Sequence, residues 1–207
     1  MEEINFNNLC SHYKDTFDIH LVSIKQRDRL FYGLLIVLAL FTLQLSSTEV
    51  VANMIGEYVN KTTGVKLGNN IDFISTLLWL LLLGFSIKYF QVVLGIERQY
   101  GYLHTLEEQL NGLYPNSKAF TREGKFYLNK YPLFSNWVWF LYTIFFPILI
   151  LFCALMRVIS EMKIMKTIGV NQIIDYSCCT VIVISSILYM YRLHESGINN
   201  LINRWRS

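Results

Sequence analysis

Charge is scarce in this chain. Asp, Glu, Lys and Arg fill 16% of its 207 positions, where a soluble domain carries about 25%. A mean hydropathy of +0.35 would leave a soluble fold of this size short of polar surface. The formal net charge of +3 is too small to hold a nucleic acid, so none is expected as a partner. Cysteine is equally sparse. Cys10, Cys153, Cys178 and Cys179 show neither CxxC spacing nor a histidine cluster, which excludes a zinc finger or a disulfide framework and leaves thiols that pack as small apolar groups. The amino terminus, MEEINFNN, lacks the basic start and the nearby apolar core of a secretory signal, so the first apolar run is expected to stay in the mature protein.

Motifs that carry chemistry are also missing. The sequence has no phosphate-binding glycine loop, no dinucleotide fingerprint, no HExxH, no GxSxG and no calcium loop. His12, His20, His104 and His194 are scattered along the chain. No catalytic, cofactor-binding or metal-ligating residues are therefore assigned, and no enzyme activity is expected. Ionisable residues in apolar runs mark function by default, but Asp72, Lys88, Arg157, Asp175 and Arg192 all lie near the ends of such runs. Ion-coupled transport needs an acid near mid-membrane and paired interrupted helices, and neither is evident.

What the chain has in abundance is apolar length. Hydrophobic residues reach 53% and aromatic residues 15%, the latter suited to anchoring at two membrane interfaces. Four runs approach or exceed the roughly 20 residues that cross a bilayer: 30–45, 71–96, 133–158 and 172–193. None alternates with period two, so helices, and not barrel strands, are expected. The expected fold is an all-α polytopic membrane protein with four transmembrane helices, a long cytoplasmic extension of the second and a small cytoplasmic hairpin. Its divisions are an amphipathic cytoplasmic segment (1–29), spans one and two (30–92), a cytoplasmic stalk and hairpin (93–131), spans three and four (132–193) and a cytoplasmic tail (194–207).

Basic residues set the orientation. Lys14, Lys25, Arg27, Arg29, Arg98, Lys118, Arg122, Lys125, Lys130, Arg192, Arg204 and Arg206 fall on one side, and only Lys61, Lys66, Arg157, Lys163 and Lys166 on the other. Both termini and the central loop are thus expected in the cytoplasm, with the protein in the inner (plasma) membrane. The outer loop carries a sequon, Asn60-Lys61-Thr62. Residues 157–170 mix apolar and charged positions and are expected to prolong span three or to lie at the interface.

Beyond span two, Ile96, Tyr100, Leu103, Leu106 and Leu110 recur at steps of three and four before Gly112 and Pro115, which predicts a helix standing out of the membrane. Glu97, Glu107 and Glu108 are placed on its wet face. Residues 1–25 are also amphipathic, with Ile4, Leu9, Tyr13, Phe17 and His20 near one face, and packing against the stalk is the preferred arrangement. A stripe of this kind calls for a cover, so Ile96, Tyr100, Leu103 and Leu110 are candidate interface residues for a homo-oligomer, a tetramer by preference, or for a cytosolic protein. Arg122 and Lys125 at the hairpin turn join them. Within the spans, weakly polar seams formed by Ser75, Ser86, Thr143, Cys178, Ser185 and Tyr189 suit either helix packing or a pore lining. Pro147 is a kink candidate.

In size and plan the chain resembles the small four-span inner-membrane proteins found among bacterial anti-phage effectors and immunity proteins. The resemblance is architectural and implies a gated ion channel or membrane-perturbing effector. From the residues themselves, the expectation is a membrane-anchored sensor or interaction subunit that engages a cytosolic protein. The bilayer is the one partner common to both readings.

Overall fold

No proline or glycine occurs before Gly33, so nothing in the first thirty residues breaks a helix once it has started. The computed structural model, which describes residues 2–64, 71–113, 133–164 and 169–206, accordingly has a single helix α1, Glu2–Ser46. The amphipathic segment and the first span, expected as separate pieces, are one helix; the charges at Lys25 to Arg29 sit on its surface without ending it. At Ser47 the backbone turns extended (φ −157°, ψ 96°), and helix α2, Thr48–Thr63, begins at once. This region was expected as an outer loop. The sequon occupies the last turn of α2, where the Thr62 hydroxyl donates to the Tyr58 carbonyl at 2.8 Å. Gly64 ends the helix at φ 73°, its N–H donating to the Asn60 carbonyl, a left-handed cap that glycine adopts without steric cost.

Helix α3, Ile71–Leu113, has 43 residues and is about 64 Å long at 1.5 Å per residue, roughly twice a hydrocarbon core of about 30 Å. Then come α4, Leu133–Phe140, a π-helical turn, Leu141–Phe145, and α5, Phe146–Ile164. The π turn follows from Pro147, which has no N–H for the Thr143 carbonyl four residues earlier and crowds it with its ring. Helix α5 continues the third span as far as Ile164. Helix α6, Val170–Arg206, runs through the residues expected as a separate tail. Its start is fixed by Gln172, whose Oε1 accepts the Gly169 N–H at 2.6 Å, the reach-back half of a capping box.

Among the described residues, four helices are long and apolar enough to cross a membrane: Phe6–Ser46, Phe73–Leu113, Trp137–Met162 and Val170–Glu195. Each contains one of the four expected spans or nearly all of it; the secondary structure of the described residues is all helical, and the chain is a multi-pass membrane protein. The hairpin expected at 119–128, with Arg122 and Lys125, lies outside the described residues.

The chain divides into two compact units. Unit 1 comprises Met1–Arg29 and Gln91–Leu141, and unit 2 comprises Leu30–Phe90 and Tyr142–Ser207. Helices α1 and α3 contribute to both. In unit 2 the core contains Leu34, Phe41, Ile74, Leu82, Ile150, Ala154 and Ile182. Gly33 lets α3 come close to α1, since a Cβ there would lie 2.7 Å from the Phe85 ring. Phe31 meets the rings of Tyr142 and Phe146 at centroid distances of 5.1 and 4.7 Å, and Tyr89 meets Phe146 at 5.4 Å. The outer faces of the spans carry Leu35, Ile36, Leu80, Ile148, Phe152, Ile184 and Leu188, all exposed. In a membrane, lipid tails cover such a surface, while small and weakly polar residues such as Gly33, Ser75 and Ser86 among the buried apolar side chains let the helices approach.

Candidate functional site

Within unit 2, an ion pair that is almost fully enclosed joins α3 to α5. Arg157 and Glu161 stand four residues apart, so both project from one face of α5. Arg157 Nε donates to Glu161 Oε1 at 2.8 Å. Two α3 residues, also four apart, complete the set. The Ser75 hydroxyl donates to the same Glu161 oxygen at 2.9 Å and accepts from Arg157 Nη2 at 3.0 Å. Trp79 Nε1 reaches that oxygen at 3.4 Å. Glu161 Oε1 thus takes three donors from two helices, while Oε2 is enclosed without a hydrogen-bond partner. Arg157 and Glu161 expose only 4% and 5% of their surface, so water contributes little to either charge. Phe41 closes the cluster edge-on against Trp79 at 5.1 Å. One cation and one anion cancel, and the arrangement works as a clasp between α3 and α5 in an apolar setting.

The sequence placed Arg157 near a span end and Ser75 on a weakly polar seam, but missed Glu161. The i, i+4 spacing of Arg157 and Glu161 was the available signal. The acid was absorbed into a stretch of alternating apolar and charged residues, and its α3 partners are more than eighty positions away.

The seam residues are drawn inside the bundle. Ser75, Ser86, Thr143, Cys178 and Tyr189 are buried, and Ser185 is half-buried. Tyr189 stacks on Phe90 with centroids 4.3 Å apart, and its hydroxyl donates to the Tyr142 carbonyl in the π turn at 3.4 Å. Irregular backbone at membrane depth is tolerated where neighbouring side chains satisfy it, and Tyr189 does so here.

Unit 1 is held by a second set of polar and aromatic contacts. Ile96, Leu103, Leu106 and Leu110 are buried and Tyr100 is half-buried. The amino-terminal part of α1 lies antiparallel along this stretch of α3. The Tyr13 hydroxyl donates to Glu107 at 3.0 Å, His12 and the Tyr102 hydroxyl share a hydrogen bond of 2.7 Å, and His20 pairs with Gln99 at 3.2 Å. Gln99 in turn donates to Ser23. His20 is 1% exposed, with its ring edge-on to Tyr100 at 4.3 Å.

One expectation changes. Glu107 is buried, not on the wet face with Glu97 and Glu108, because Tyr13 supplies its donor. The stripe residues Ile96, Leu103 and Leu110 are buried within the chain, whose own first helix runs beside them.

Among the described residues no group of three or more His, Cys, Asp or Glu side chains is placed to hold a metal. Comparison with protein-family models, with curated proteins and with solved structures found no match to this chain.

Proposed function

We propose that this chain is a multi-pass protein of the inner membrane, with both termini in the cytoplasm, and that it serves as a sensor or interaction subunit whose unit 1 engages a cytosolic protein. The observation that carries this reading is the internal closure of unit 1. A helix pair whose apolar stripe is already covered, and whose polar residues bond in pairs across the interface, is a preformed module, and a preformed surface binds without the entropic cost of ordering. The faces it leaves open are mostly polar, but Ile19 and Val22, three residues apart on one side of α1, stand 59% and 64% exposed, an apolar pair suited to a protein contact. The inward packing of the seams supports their role in helix association over a pore lining shared between copies.

The test is capture of cytosolic proteins by the full chain in mild detergent. Ile19→Asp with Val22→Asp is expected to leave the protein folded, because exposed substitutions change stability by only about 0.5 kcal/mol, and to release the captured protein. Undiminished capture by this variant contradicts the reading.

A further inference from the structure

Helix α2 is a surface helix with an uncovered apolar stripe, and we propose that this stripe is seated in the bilayer, so that α2 lies flat in the headgroup region of the leaflet where α1 ends. Val50, Met54 and Tyr58 fall at steps of four and so line one side of the helix. They are 45%, 58% and 72% exposed, although all three are large and apolar or aromatic. Asn53 and Asn60 project from a different, polar arc, Glu57 stands at the edge of the stripe beside Val50, and all three are exposed as well. With 16 residues, α2 is about 24 Å long at 1.5 Å per residue; it is too short and too polar to cross a membrane, yet amphipathic enough to lie on one.

What identifies the occupant is continuity with the spans. Only Ser47 separates the end of α1, a membrane-crossing helix, from the start of α2. The last large apolar residue exposed on α1 is Leu43, and the first on α2 is Val50. The lipid-covered surface of the span therefore leads directly onto the stripe, and the extended backbone at Ser47 is the bend that a chain makes on passing from across the membrane to along it. Tyr58 has the ring and hydroxyl favoured at that depth, and Lys61, on the same side of the helix three residues beyond Tyr58, can extend its ammonium to water. Helix α2 carries Glu49 and Glu57 against Lys61, a slight negative excess, so its seating depends on apolar area and not on anionic lipid.

The experiment places a photoreactive benzoylphenylalanine at Met54 or Tyr58, on the stripe, and at Asn53 or Asn60, on the other face. The full chain is reconstituted in phosphatidylcholine nanodiscs, irradiated and weighed intact. The expected result is a lipid adduct at Met54 and Tyr58 several-fold more abundant than at Asn53 and Asn60, unchanged when a third of the lipid is replaced by phosphatidylglycerol. The Tyr58 position exchanges one aromatic ring for another, so it reports on a folded protein. Equal lipid adducts on both faces, adducts to a second copy of the chain, or no adduct at the stripe would each overturn the proposal.

Discussion

Glu161→Ala is expected to destabilise the membrane bundle by about 3–5 kcal/mol, the usual consequence of removing one member of a buried ion pair and leaving the other charge enclosed. Arg157 is the residue left behind. It is 4% exposed, and in the native bundle its Nε meets Glu161 at 2.8 Å; Ser75 alone then remains to bond it. The double change Arg157→Met with Glu161→Leu removes both charges for apolar groups of similar length. It should recover most of the loss, because apolar replacement of a whole buried pair is close to neutral. Thermal unfolding in detergent, run as a double-mutant cycle, separates the pair's interaction from the effects of each side chain. Additive losses would show that the two charges do not act as a clasp.

Leu103→Asp is expected to undo unit 1 while leaving insertion of the spans intact. Leu103 is fully buried on the stripe that α1 covers, and a carboxylate enclosed there without a partner costs several kcal/mol. Leu80→Ile, at a position 50% exposed on a span, changes shape and little volume and should cost under about 1.5 kcal/mol. Limited proteolysis reads the difference: Leu103→Asp should open cleavage within residues 2–29 and 91–113, and Leu80→Ile should not. Equal protection in both proteins would mean that the helix pair does not depend on its stripe.

Much of the fold was legible because a bilayer makes simple demands. Four apolar runs of spanning length led to four spanning helices, and the three-and-four spacing after Ile96 extended α3 to within three residues of its observed end at Leu113. Two features were illegible for the same physical reason. Charges at Lys25, Arg27, Asp28 and Arg29 resemble a boundary, yet exposed charges do not terminate a helix. The polar content of α2 resembles a loop, yet Val50, Met54 and Tyr58 keep a helical register. The site was harder to see because its bonds are non-local. Glu161 acquires meaning only when Ser75 and Trp79 arrive beside it, and His20 only beside Gln99 and Tyr100, contacts that no local pattern encodes.

A single labelling measurement decides which side of the membrane unit 1 occupies. In intact cells producing the protein with Cys10→Ser, a membrane-impermeant maleimide should modify Thr63→Cys at the end of α2 and spare Glu108→Cys on the exposed face of unit 1 until the membrane is permeabilised. The division of basic residues requires that outcome. Modification of Glu108→Cys from outside, with Thr63→Cys protected, would place unit 1 beyond the membrane and remove the cytosolic protein from the proposed function.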